Sequence, residues 1–212
     1  MPYHEPKNEI IILMHGLMRT HRSMRFLEKY LNKNGYETYN YNYPSTQFTI
    51  EEHGAHLNNY IANLLLTHPN KNLNFITHSL GGIIARKALS QLSQQNLDRC
   101  NSLIMLAPPN KGSLFAKLAL AIAPFLSLWI KPLAELSCNP DAYVHQVPVP
   151  DQIKIGTIAG RFDIKAPPAV THLVQQSDFL MVNSAHTFIM NHPKARTAIL
   201  NFLQQGKFYL IE

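Results

Sequence analysis

The sequence predicts an α/β protein with a doubly wound, mostly parallel sheet and helices on both faces. Three observations carry this expectation. Short apolar runs, the length of strands buried on both sides, recur along the chain. Amphipathic stretches with helical spacing separate them. The 212 residues, 46% of them hydrophobic, suffice for a substantial core without disulfides or a structural metal.

The elements follow in order. Glu9–Met14 (EIIILM) reads as the first strand. Thr20 is then placed to cap a helix whose apolar positions Met24, Leu27 and Leu31 recur at helical spacing, with Gly35 as its stop. Residues 37–42 (ETYNYN) form the next strand, ended by Pro44. Thr49 caps a second helix running to about Leu66, with Ile50, Leu57, Ile61, Leu64 and Leu65 on its buried side. Residues 73–78 (LNFITH) make the third strand, and 80–94 the helix behind it. Further strands fall at 102–107 (SLIMLA, closed by Pro108 and Pro109), 153–159 (IKIGTIA) and 179–182 (FLMV). The last helix starts at Pro193, a good first-turn proline, and runs to Gln205 before Gly206. Residues 111–150 break this rhythm and read as an insertion in a single domain, 1–212.

The strongest chemical signal is Thr77-His78-Ser79-Leu80-Gly81-Gly82, which leaves a strand and opens a helix. That context is the one a nucleophile elbow requires: a tight turn lifts the Ser79 hydroxyl out of the sheet, and small neighbours let helix and strand approach. Thr77 stands where glycine is commonest. An ordinary loop with an N-capping serine is the competing reading.

With HSLGG, the His15-Gly16 pair after the first strand and a histidine near the end, the chain resembles the α/β-hydrolases, specifically their small lipase- and esterase-like members. The resemblance runs from about Glu9 to Phe208. It implies a serine that attacks an acyl carbonyl, a histidine that activates it and a carboxylate that orients the histidine, in that family's order Ser, Asp/Glu, His. It implies an oxyanion hole from the backbone N–H groups of Leu17 and Leu80, each donor worth roughly 3 kcal/mol of barrier. His15 is expected to brace that loop.

Among eleven histidines, the base must follow the last strands and precede the final helix. His186, in Asn183-Ser184-Ala185-His186-Thr187-Phe188, is the candidate, with His192 as the alternative. His53 and His56 lie three apart and read as a solvated helix face, since no third metal ligand is suggested. His78 is expected to point away from the serine's side of the chain. For the acid, Asp163 in Gly160-Arg161-Phe162-Asp163 resembles the family's G-x-x-D loop, while Asp178 immediately precedes the final strand. Asp163 is the candidate and Asp178 the alternative. An ion pair with Arg161 or a turn-capping role is the plainer reading of Asp163.

Pro108-Pro109-Asn110-Lys111-Gly112-Ser113 resembles the stretch leading into the cap of related lipase-like proteins. The apolar residues beyond it, including Phe115, Leu118, Phe125, Leu128 and Trp129, would form a short helical cap that suits a greasy acyl ester. A core-covering or dimerising helix pair is the other reading of this segment. Lys117 and Lys131 favour peripheral contact with an anionic membrane or lipid surface. Arg19, Arg22 and Arg25 read as an exposed helix start, with cations able to meet an acidic substrate group.

The expected function is therefore a serine hydrolase that cleaves a carboxylic ester through an acyl-enzyme on Ser79, with no metal and no organic cofactor. Acyl transfer and thioesterase action would use the same residues. A hydrolase-fold binding protein without turnover is the reading of another class. Other classes fall to composition. A charged fraction of 15% excludes wholesale disorder. The net charge of +6 comes from scattered residues with no reading motif, so a nucleic-acid partner is not expected. MPYHEPKNE has no apolar leader, and 114–130 carries Lys117 and Pro124 and falls short of the roughly 20 uncharged residues of a spanning helix. With two cysteines, Cys100 and Cys138, a soluble protein of the cytoplasm is expected.

Overall fold

Parallel strands cannot be joined by tight hairpins, so each must be reached by a crossover, and that requirement organises this chain. The structure is a computed structural model that describes residues 7–209; residues 1–6, on which the absence of a leader was read, lie outside the described residues. Among those described, six strands make one sheet: β1 (Glu9–Met14), β2 (Glu37–Tyr41), β3 (Asn72–His78), β4 (Cys100–Leu106), β5 (Lys154–Gly160) and β6 (Asp178–Val182). Their spatial order is β2-β1-β3-β4-β5-β6, and every neighbouring pair is parallel. The chain winds outward from β1 to β2, then returns past β1 to β3. The carboxyl ends of β1 and β3 therefore border a switch point, where connections leave in opposite directions and a crevice opens.

Strand residues alternate between two buried layers. Ile10, Ile12, Met14, Phe75 and Met105 face one core, and Ile11, Leu13, Ile76, Ile104 and Leu106 face the other. The first core is covered by α2 (Ile50–Thr67) and α3 (Leu80–Ser90), the second by α1 (Arg25–Lys33) and α9 (Pro193–Gln205). The doubly wound α/β sheet expected from the sequence is thus present. Ile50, Leu57, Ile61, Leu64 and Leu65 form the buried side of α2. Its start is fixed by a capping box, in which Thr49 and Glu52 satisfy each other's backbone N–H.

Two helix boundaries differ from expectation. Thr20 makes no side-chain cap, and the chain first turns as a 3-10 helix, His21–Met24, before α1 begins. The helix expected to reach Gln94 stops at Ser90, whose hydroxyl bonds back to the Lys87 carbonyl. Ser93 then caps a separate turn, α4 (Gln94–Leu97).

Residues 111–150 hold three short α-helices, α5 (Leu114–Ile122), α6 (Leu126–Trp129) and α7 (Pro132–Glu135), and a 3-10 turn, Tyr143–His145. Pro132 sits in the first turn of α7. The segment is tied to the approach to α2: Lys131 N–H donates to the Thr46 carbonyl at 3.0 Å and Ile50 N–H to Glu135 Oε2 at 2.7 Å. At its base, Arg86 of α3 is buried, pairs with no carboxylate among the described residues, and donates to Asn110 Oδ1 at 2.9 Å and to the carbonyls of Val147 and Pro148. Turn α8 (Pro168–Thr171) packs beside β5 and receives the Asn110 amide on the Thr171 carbonyl at 2.7 Å. Among the described residues no helix is long and apolar enough to cross a membrane.

His53, expected on a solvated face, is instead buried between the edges of Tyr43 and Phe48, with ring centroids 5.0 and 5.6 Å away. The short period of the helix places it one turn before Leu57, inside the apolar stripe, while His56 remains exposed. Burial, with a smaller push from His56, holds the His53 imidazole down at about 4. The unfolded chain binds this proton below pH ~6.5 and the folded one does not, so stability is lost as pH falls from ~6.5 towards 4. His53→Phe should abolish about 2 kcal/mol of the difference in urea-unfolding free energy between pH 7 and pH 5. An unchanged difference would show that His53 is protonated in the folded protein.

Candidate active site

Ser79 joins β3 to α3 at φ 53° and ψ −122°, a strained conformation for a residue with a side chain. The turn is held from both sides. Ser79 N–H donates to the Leu106 carbonyl of β4 at 2.9 Å, and the Ser79 carbonyl accepts from Gly82 N–H at 3.0 Å. Thr77, at the usual glycine position, is accommodated because Gly82 lies opposite: a β-carbon there would come within 3.1 Å of the Thr77 hydroxyl. Thr77 is fully buried and donates to the Ile104 carbonyl at 3.4 Å.

The β1–β3 register pairs Met14 with Thr77, so His15 and Gly16 continue alongside His78 and Ser79. Any side chain at Gly16 would meet the His78 ring at 2.9 Å and Ser79 Cβ at 3.1 Å. The loop is clamped beyond this contact. Tyr43 O–H donates to the His15 carbonyl at 2.6 Å, its ring stacks on His15 at 4.2 Å, and Ser45 Oγ accepts from Met18 N–H at 3.0 Å. His15 itself donates from Nδ1 to the Gly16 carbonyl at 3.0 Å and accepts from Tyr43 N–H on Nε2 at 3.4 Å. One tautomer of a neutral ring satisfies both bonds, and burial lowers the His15 pKa accordingly. Leu17 follows the clamp and Leu80 opens α3; among the described residues neither backbone N–H has a protein acceptor. Both are thereby left free for an oxygen of a ligand.

On the far side of the crevice, β5 and β6 deliver Asp163 and His186. Phe162 N–H bonds to the Ser184 carbonyl at 3.1 Å, tying the two loops together. Asp163 is buried, and both its oxygens are engaged: Oδ1 accepts from the N–H groups of Lys165 and Ala166 at 2.9 and 2.8 Å, and Oδ2 from His186 Nδ1 at 2.7 Å. The turn-capping and histidine-orienting readings of Asp163 thus coexist, whereas Arg161 is exposed and forms no ion pair with it among the described residues.

Asp178 is at the other end of β6, where it accepts from Phe179 and Phe208 N–H groups at 2.8 and 2.6 Å. His192 precedes α9 and is not on the cavity wall.

His78 lies against His186, contrary to its expected direction. Its Nε2 donates to the His186 carbonyl at 3.0 Å, and the rings are 4.8 Å apart. Burial, reinforced by His186, pushes the His78 pKa down to about 3. It is therefore a neutral support beneath His186. The sequence signalled His78 only as part of the elbow, and it gave no sign of Tyr43 and Ser45, whose roles depend on β2 ending beside β1.

A cavity of about 510 Å³ opens between these loops and α5–α7. Ser79, His186 and Leu17 line one part of it, and Ala116, Ala119, Leu126, Ile130 and Leu133 form an apolar wall. The sheet with a strained serine at its switch point, and an aspartate-held histidine on the same cavity, give the architecture of an α/β-hydrolase. Residues 4–137 match the family described as putative serine esterases (DUF676), and the chain belongs to that family. The fold is similar to the mature lipase BlEst2 of Bacillus licheniformis, at 17% identity and a TM-score of 0.75, covering 97% of this chain and 94% of that one. It is also similar to the Paleococcus ferrophilus monoacylglycerol lipase, at 17% identity and a TM-score of 0.67, covering 95% and 96%. A metagenomic carboxyl esterase, MGS0156, aligns at 15% identity and a TM-score of 0.72, covering 89% and 68%. No curated protein sequence matches the chain.

The contact between Gly16 and the His78–Ser79 corner gives a direct test. Gly16→Ala should remain folded but lose about 10²-fold or more in kcat for ester hydrolysis, because the added carbon displaces the Leu17 amide. Normal turnover by a folded Gly16→Ala protein would show that this approach does not set the site.

Proposed function

We propose that the protein hydrolyses apolar acyl esters through an acyl-enzyme on Ser79. The observation that carries the reading is the buried Asp163–His186 hydrogen bond at the edge of the cavity that also holds Ser79. With Nδ1–H donated to Asp163, His186 keeps Nε2 unprotonated and available as a base. Nε2 takes the hydroxyl proton as Ser79 Oγ bonds to the ester carbonyl carbon. The negative charge formed on the carbonyl oxygen meets the N–H groups of Leu17 and Leu80. As the intermediate collapses, the ester C–O bond breaks and the alcohol leaves with the proton from His186. Water, deprotonated by the same nitrogen, then adds to the acyl carbon; the acyl–Oγ bond breaks, Ser79 Oγ takes the proton back from His186, and the acid leaves.

The substrate class follows from the cavity wall, whose apolar side chains fit an acyl chain better than a sugar or a nucleotide. The outer face of the same segment is apolar as well: Ile122, Leu128 and Trp129 are 86, 78 and 76% exposed. This face is proposed to rest on aggregated lipid-like substrate, with Lys117 and Lys131 beside it. Cys100 and Cys138 are both free thiols, which suits the reducing cytoplasm proposed as its location.

Brief reaction with an activated short-chain ester, quenched in acid, should leave the acyl mass on the peptide containing Ser79. Ser79→Ala should show neither this adduct nor measurable turnover. Asp163→Asn should lower kcat by about 10⁴-fold, the order expected when a triad acid can no longer hold the required tautomer. Wild-type-like hydrolysis by Ser79→Ala, or an adduct elsewhere, would refute the mechanism.

A further inference from the structure

The cavity has one apolar arm and a mouth charged in one sense only. Arg19 and Lys165 line it, and no aspartate or glutamate does. Both cations are exposed, and among the described residues neither forms an ion pair with a carboxylate. The nearby acid, Asp163, is sealed from the cavity with both oxygens already bonded.

The backbones that carry these cations are tied to the loops of the site. Arg19 lies two residues beyond Leu17, its backbone N–H bonds to the Gly16 carbonyl at 3.2 Å, and its Nη2 donates to the Thr187 hydroxyl at 3.2 Å. Thr187 directly follows His186. Lys165 is anchored through its own N–H to Asp163 Oδ1 at 2.9 Å, and its ammonium stands 5.4 Å from the Phe115 ring centroid. Arg19 is thus bonded to the neighbour of His186 and the Lys165 backbone to Asp163, while Ala116, Ala119, Leu126, Ile130 and Leu133 supply the apolar wall. The orientation proposed for the ester, with its acyl chain on that wall, leaves its alcohol portion for the part of the cavity that Arg19 and Lys165 line.

An uncharged alcohol gains nothing from two unpaired cations, whereas a phosphate matches both the planar donor fork of arginine and the point charge of lysine. We infer that the enzyme is selective for acyl esters whose alcohol portion carries a phosphate-type anion, bound by Arg19 and Lys165. The inference rests on the proposed orientation of an ester over Ser79, and it adds a recognition element that catalysis itself does not require.

The test separates recognition from turnover by measuring binding to the Ser79→Ala protein. Two water-soluble, monomeric ligands are compared, monohexanoylglycerol and the hexanoyl ester of glycerol 3-phosphate, which share the acyl chain and differ in the phosphate. The phosphate ester should bind about 10-fold more tightly at low salt, an advantage that shrinks as ionic strength rises. Adding Arg19→Gln together with Lys165→Gln should reduce the advantage to about 2-fold or less. Lys33→Gln, which removes one charge at the opposite end of α1, should preserve it. Equal binding of the two monomeric esters would overturn the inference. So would an Arg19- and Lys165-dependent association with anionic but not neutral vesicles accompanied by equal ester binding, which would assign the cations to a membrane surface. Turnover of the same esters by the wild type tests the hydrolase reading separately.

Discussion

The close approach of two loops at the sheet's switch point controls the rest of the site. Because β1 and β3 are adjacent and parallel, the residues that follow them leave side by side, and Gly16 comes up against the His78 ring and Ser79 Cβ. That contact sets where the Ser79 hydroxyl emerges and where the Leu17 N–H stands, without a protein acceptor among the described residues. It also explains the reinforcement behind it. Tyr43 and Ser45 arrive from the end of β2 and bond to His15 and Met18, so a segment with positive φ at Met18 is fixed by partners from outside the loop. Strain at Ser79 and Met18 is sustained because neighbouring strands over-determine both positions.

Charge is distributed with the same economy. His15 and His78 are buried beside the reactive groups and are kept neutral by burial. A proton on His78 would place a cation 4.8 Å from the His186 ring and oppose formation of the imidazolium in the proposed reaction. Its low pKa removes that conflict, while its Nε2–H fixes the His186 backbone. Asp163 does the complementary work, holding the His186 ring and, through two N–H groups, the backbone around Lys165 and Ala166.

Much of this was legible in the chain. A run such as EIIILM announces a strand buried on both faces because its five residues after Glu9 are all apolar, and the observed β1 coincides with it. Thr49 and Glu52 announce the start of α2 because a capping box is local chemistry. Asp163 and Asp178 could be ranked because a strand has two ends, and the structure finds Asp163 beside His186 and Asp178 at the far end of β6. Other features depend on contacts distant in sequence and had no local mark. Tyr43 acquires its role only when β2 pairs with β1, and His78 acquires its role only when β6 brings His186 over it. His53 was misjudged because a histidine pair on a helix resembles a polar face, whereas the Tyr43 and Phe48 rings enclose one member. The early stop of α3 reflects serine hydroxyls competing for backbone groups, which outweighs a continuing helical pattern.

The central claim is that Asp163, acting through His186, makes Ser79 a nucleophile. It is tested most directly by the rate at which a fluorophosphonate labels the protein, with the modified residue mapped by peptide mass spectrometry in wild type, Asp163→Asn and Asp178→Asn. The account predicts labelling at Ser79 in the wild type, a similar rate for Asp178→Asn, and a rate at least about 100-fold lower for Asp163→Asn. Undiminished labelling of Asp163→Asn, or its loss in a folded Asp178→Asn protein, would contradict it.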